Sequence, residues 1–250
     1  MAVTYGFISC LAGALVLGLS MTSSACELRP MTENFEPTGT GANGTFDVYN
    51  SLGLEVAVTV TIKARKIDAE GLEILTGTKD LAVFPTEMMI KGKSINEVRV
   101  KWQGTSSLRS ERSYRIIAEE SQLKYSGVQP SGPFKGRLKP GVSYSGTIYV
   151  APPKARANIV IAEAKRVETP GGAMLALDLE NRGSRHAIID KPSLTVKVGA
   201  VTRRVAEAEL DKALDGMNIL VEGKRHILVP WPAGLPAGTL EAKLDASFLR

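Results

Sequence analysis

The stretch Arg137-Leu138-Lys139-Pro140-Gly141-Val142-Ser143-Tyr144-Ser145-Gly146-Thr147-Ile148-Tyr149-Val150-Ala151-Pro152-Pro153 decides how the chain is read. Val142, Tyr144, Ile148 and Val150 share one parity, and Ser143, Ser145 and Thr147 share the other. Alternation at period two marks a strand with one buried and one wetter face. About ten extended residues at roughly 3.3 Å each reach about 33 Å, long for a sandwich strand. Pro152 and Pro153 then end the ladder, because neither has a backbone N–H to donate. More β-rich sequence follows, so the stretch reads as the last strand of a first domain.

Toward the amino terminus the same logic repeats. Residues 26–37 read as a lead-in strand, and Thr38 to Gly44 is a turn cluster. Strands are expected at 45–50, at 54–65 with Val56, Val58, Val60 and Ile62 on one face, and at 81–85. Two more follow at 94–102 and 112–119, the last with Tyr114, Ile116 and Ala118 opposite Ser113, Arg115 and Ile117. Beyond a linker at Lys154-Ala155-Arg156, short strands are expected at 158–164, 174–179, 187–189, 193–198, 224–229 and 239–244. Residues 205–214 have helical spacing or form an irregular loop. Short strands at roughly 8–12-residue intervals indicate β-sandwiches. The expected class is all-β, with a first sandwich over 26–153 and a second over 154–250.

A length of 250 residues suits two such domains. The net charge of +5 is spread along the chain without a Lys/Arg run, which favours a solvated surface over a nucleic-acid interface. The first 25 residues carry no charged side chain, with an apolar run from Phe7 to Leu19 and small residues at Thr22-Ser23-Ser24-Ala25. That pattern predicts an export signal over 1–25 cleaved after Ala25. Cys10 would leave with it and Cys26 would become the first mature residue, so no intramolecular disulfide is expected. A cysteine in that place is also a candidate lipid anchor.

The chemistry of a hydrolase or a metalloenzyme is not spelled out. His186 and His226 are the only histidines, and neither sits in a metal-ligand spacing. The sequence has no Gly-x-Ser-x-Gly elbow, no phosphate loop and no strand-to-helix dinucleotide fingerprint. Asp178 and Glu180 read as solvated turn residues. The expectation is a non-enzymatic chain without catalytic residues, metal, cofactor or small-molecule substrate.

Five segments in order carry a resemblance. They are Val83-Phe84-Pro85, Ile95-Asn96-Glu97-Val98-Arg99-Val100-Lys101-Trp102, Glu111-Arg112-Ser113-Tyr114-Arg115-Ile116, Gly146-Thr147-Ile148-Tyr149-Val150-Ala151-Pro152 and Leu177-Asp178-Leu179-Glu180-Asn181-Arg182-Gly183. Together they resemble the PapD-like periplasmic chaperones of the chaperone–usher pathway, in the form of its alternative or archaic branches. The resemblance implies two immunoglobulin-like domains in a boomerang, located in the periplasm. It implies donor-strand complementation, in which the last strand of the first domain completes a pilus subunit and the subunit is then passed to an outer-membrane usher. The physics is strand addition, with backbone bonds for affinity and alternate side chains in pockets.

On parity the donor residues would be Leu138, Val142, Tyr144 and Ile148, interrupted by Pro140 and Gly146. The competing reading is that these residues pack only inside their own sandwich. The family also anchors the subunit's terminal carboxylate on basic residues, one of them five residues before the closing proline. That position here is Thr147, so the anchor passes to Arg115 on parity, with Arg137 and Lys139 as further candidates and Arg29 near the other usual place. Arg99 and Glu111 resemble a structural ion pair of the first domain. The donor edge also offers a route to self-association. The rival reading is a structural or adhesive immunoglobulin-like exported lipoprotein that captures no subunits.

Overall fold

The computed structural model describes residues 26–121 and 143–249. The first sandwich is built from β1 (Cys26–Arg29), β2 (Thr32–Phe35), β3 (Asn43–Asn50), β4 (Val56–Ile67) and β5 (Glu73–Gly77), then β6 (Leu81–Phe84), β7 (Glu87–Ile90), β8 (Ile95–Trp102), β9 (Arg112–Ser121) and β10 (Ser143–Val150). One sheet runs β1-β3-β8-β6 and the other β2-β10-β9-β4-β5, with β7 paired to β4. β9 pairs antiparallel along the whole of β10, whereas β2 pairs parallel with its rear half, Thr147–Val150. The first segment therefore serves both sheets, β1 on one and β2 on the other.

Alternation places the core. Val58 and Val60 of β4, Val98, Val100 and Trp102 of β8, and Tyr114, Ile116 and Ala118 of β9 meet between the sheets. Ile95 of β8 has the opposite parity to Val98, Val100 and Trp102 and is exposed. Ile148 and Val150 of β10 are fully buried there, and Tyr144 packs at the margin. Gly146 shares their parity. A Cβ on it would come within 3.2 Å of both Leu28 and Ile116, whose side chains fill the space.

The second sandwich comprises β11 (Ile159–Thr169), β12 (Gly172–Asn181), β13 (Ala187–Val198) and β14 (Val201–Arg204), then α1 (Glu207–Leu214), β15 (Asn218–Ile219), β16 (Lys224–Pro230) and β17 (Leu240–Leu249). Its sheets are β11-β12-β16 and β14-β13-β15 with β17 on β13. Helical spacing at 205–214 resolves into α1, which turns Leu210 and Leu214 into the core. The two strands expected at 187–189 and 193–198 are one strand, β13. Its register with β17 shifts between Asp190 and Ser193, around Lys191 and Pro192. Asp178 and Glu180 lie inside β12 rather than in a turn.

Both sandwiches close a corner with one buried asparagine. Asn50, at the end of β3, donates from Nδ2 to the carbonyls of Leu54, Ile90 and Lys91 and accepts from the Leu52 N–H. Asn181, at the end of β12, donates to the carbonyls of Arg185 and Ile219 and accepts from the N–H groups of Asn158 and Gly183. An amide has donors and acceptors enough to satisfy turn and strand backbone together. Gly183 completes the second corner, because a Cβ there would stand 2.3 Å from the Arg156 carbonyl oxygen. Asn181→Ala strands these buried groups and is expected to cost about 3 kcal/mol. Urea unfolding of the whole chain checks this, and an unshifted midpoint counts against the corner.

Candidate functional site

β9 turns Tyr114, Ile116 and Ala118 inward and presents Ser113 and Arg115 on the outer face of its sheet. The register aligns Lys63 of β4, Arg115 of β9, Thr147 of β10 and Thr32 of β2 in one row across that face. Arg115 donates from Nη1 to the Thr147 hydroxyl at 2.5 Å. It also donates from Nε to both carboxylate oxygens of Glu73, at 2.9 and 3.1 Å. Arg65 donates from Nε to the same Glu73 carboxylate at 2.5 Å and from Nη1 to the Tyr149 hydroxyl oxygen at 3.3 Å. The Arg65 side chain is 8% exposed, against 22% for Arg115 and 31% for Glu73. Two guanidiniums thus converge on one carboxylate at the margin of the face.

The same face leads into the seam between the sandwiches. Asn218 of β15 donates to the Tyr149 hydroxyl at 2.7 Å. The Tyr149 ring stacks on the His186 imidazole, with centroids 3.7 Å apart and planes at 10°. His186 Nδ1 lies 2.7 and 2.9 Å from the two oxygens of Glu111, and the His186 backbone N–H donates to Glu111 as well. Both side chains are 1% exposed. The Glu111 N–H donates to the Ser184 carbonyl, and Arg185 Nε stands 3.7 Å from Glu111. On the far side the His226 N–H donates to the Ala69 carbonyl. A cleft of about 470 Å³ lies between, lined by Arg65, Arg112 and Ser113 from one sandwich and Leu220 to Gly223 from the other.

Several expectations need correction. Arg99 does not pair with Glu111: Arg99 is an exposed residue of β8 that binds Glu97 at 2.9 Å, while Glu111 is buried against the second sandwich. Ile148 cannot donate to a guest, because its face of β10 is turned into its own core. Tyr144 is half-buried, and its hydroxyl accepts the Cys26 N–H at 3.1 Å. Arg29 sits on the other sheet and pairs with Glu27. Cys26 is not placed for a lipid, since its side chain is 2% exposed in the core. Burial, with the charge and hydrogen bond of Glu120, pushes its thiol pKa up to about 12. Leu138, Val142, Arg137 and Lys139 lie outside the described residues.

Parity pointed to Arg115, and the structure sets it beside Glu73 and Arg65, which sequence reasoning did not name; the stack of Tyr149 on His186 was not anticipated either. Sequence reasoning also missed two histidine–carboxylate pairs, Glu111 with His186 and Asp178 with His226. The second is a cross-strand pair of β12 and β16 with both side chains exposed.

No family model and no curated protein matches the sequence. Solved structures do match it. A chain of the chaperone–tip adhesin complex vital for synergistic activation of CFA/I fimbriae biogenesis has a TM-score of 0.55 at 11% identity, covering 89% of this chain and 98% of that one. The class 5 fimbriae chaperone CfaA has a TM-score of 0.54 at 13% identity, covering 90% and 94%. The CsuC–CsuE chaperone–tip adhesion subunit complex from archaic chaperone–usher Csu pili of Acinetobacter baumannii has a TM-score of 0.52 at 12% identity, covering 81% and 89%. The chain has the fold of the fimbrial chaperones. At these identities the likeness is one of architecture, and it spans both immunoglobulin-like sandwiches.

Within that fold the charged groups differ in what they do. Removing one partner of a buried pair leaves the other uncompensated at a cost of about 3–5 kcal/mol. Glu111→Ala should therefore lower the thermal midpoint of the intact chain by several degrees, and Arg99→Ala should leave it unchanged; equal losses would restore the pair expected from sequence.

Glu73 behaves differently. Burial opposes its ionisation, but hydrogen bonds and charge from Arg115 and Arg65 outweigh burial and hold it below its ordinary 4.5. A lowered folded value means stabilisation that is present above the unfolded value and lost as the pH falls through the folded one. Thermal midpoints between about pH 3 and about pH 7 should fall less steeply on the acid side in Glu73→Gln than in the parent. Parallel profiles would remove Glu73 from the acid response.

Proposed function

We propose that this chain is an exported assembly chaperone for pilus subunits. It would hold a subunit by donor-strand complementation and pass it to an outer-membrane usher. The observation that carries this reading is the likeness of fold to fimbrial chaperones along about nine-tenths of the chain, with TM-scores of 0.55 and 0.54. The resemblance of five sequence segments, found independently of the fold, supports it.

The donor segment would run from Leu138 through Val142 into the start of β10. Leu138 and Val142 continue the parity of Tyr144. The rear of that strand, Ile148 and Val150, is committed to the chaperone's own core. One strand would thus be shared, its rear half at home and its front half in the guest. An extended strand gives backbone bonds to any incomplete sheet and side chains to pockets of one parity.

The guest's terminal carboxylate is assigned to Arg115. Its guanidinium reaches the Thr147 hydroxyl, so the positive charge stands one strand over from the position where the family carries its own. A fork of N–H donors suits a carboxylate and fixes register as well as affinity.

Co-expression with a strand-deficient pilus subunit and affinity purification of the complex tests the reading. Val142→Glu should abolish capture by placing a charge in an apolar groove. Arg115→Ala should weaken capture by about tenfold or more with the chain still folded. Normal capture by both folded variants would refute the donor and anchor assignments. Failure of the parent to retain any such subunit would refute the function.

A further inference from the structure

The carboxylate site at Arg115 is occupied by the chain's own carboxylate. Glu73 takes Arg115 Nε on both oxygens and Arg115 Nη2 at 2.8 Å on Oε1. Oε1 also accepts Arg65 Nε. This is the planar, forked geometry in which a guanidinium binds a carboxylate group from any source.

The element carrying Glu73 is lightly held. β5 pairs with β4 over Glu73–Gly77 and places none of its residues in the buried core. Leu72 before it is 67% exposed and Ile74 is 45% exposed. The site around Glu73 is firmer: Arg65 is almost fully buried and tied to the Tyr149 hydroxyl, and Arg115 is tied to Thr147. The cationic cradle is therefore fixed by the central strands, and its anion is supplied from the periphery.

We propose that Glu73 is an internal placeholder, filling the site made by Arg65 and Arg115 until the terminal carboxylate of a guest chain displaces it. The proposal rests on the subunit-binding reading for the identity of the guest, and it adds Arg65 as the second carboxylate ligand. Two consequences distinguish a placeholder from a plain structural ion pair. Glu73 offsets the repulsion between two like charges by holding both on one carboxylate. It also competes at the effective concentration of a tethered group, on the order of millimolar or more. A lone small carboxylate is then excluded. A guest that adds a strand as well as a carboxylate is not.

The test is titration of the full chain with N-acetylglycine, using neutral N-acetylglycinamide as the control. The readout is the Nε–Hε NMR signals of Arg65 and Arg115. Glu73→Gln should tighten N-acetylglycine binding by about tenfold or more relative to the parent. Glu73→Ala should act in the same direction, and adding Arg115→Ala should remove the gain. The amide should leave both signals unmoved. Equal affinity in the parent and both Glu73 variants overturns the placeholder, as does a response confined to other residues. If the gain appears but no strand-deficient subunit is captured, the site and its internal occupant stand and the chaperone reading falls. If subunits are captured but the Glu73 variants gain nothing, the placeholder alone falls.

Discussion

Glu111 stands just before β9, the middle strand of its sheet in the first sandwich, yet its partner comes from the second. A carboxylate this deeply buried needs hydrogen bonds on both oxygens, and His186 provides them from ring and backbone together. Tyr149 then covers the imidazole, and its hydroxyl carries the contact on to Asn218 and Arg65. Two bodies with separate cores are thus joined by a small polar cluster rather than by a continuous apolar interface. Such a seam is specific about angle, because its bonds are directional, and it leaves a solvent-reachable cleft beside it.

Much of the fold was legible because half-buried strands write their burial into alternation. β4, β8, β9 and β10 announce themselves by apolar residues at every second place, and their inward faces agree with that pattern. Elements without such a pattern were missed. β5, β7 and β14 are four or five residues long and lie at edges, where one paired side suffices and no inward face is required. Pro192 split β13 on paper, whereas in space the strand carries the irregularity as a shift of register.

The candidate site was less legible, for a reason of distance. Parity singles out Arg115 because that property is local to β9. Nothing local ties Arg115 to Glu73, 42 residues away, or Arg65 to Tyr149, 84 away. The same holds for Glu111 and His186, separated by 75. A motif search looks for groups close along the chain, and here the sandwich topology does the gathering. The resemblance of segments singled out Glu111 but gave it the wrong partner, because Arg99, though near in sequence, is an exposed residue of β8 that pairs with Glu97.

The pairing of β10 has a mechanical side. β9 runs antiparallel along all eight residues of β10, from Ser143 opposite Glu119 to Val150 opposite Arg112, and β2 runs parallel along its last four. A pull on the front of this strand acts along its axis. The flanking ladders then resist as a lap joint does, every bond sharing the tension at once, instead of opening one by one as in a zipper. Force delivered at that end is carried through to the Tyr149 stack, so the polar seam between the two sandwiches is also the point where the load comes to rest.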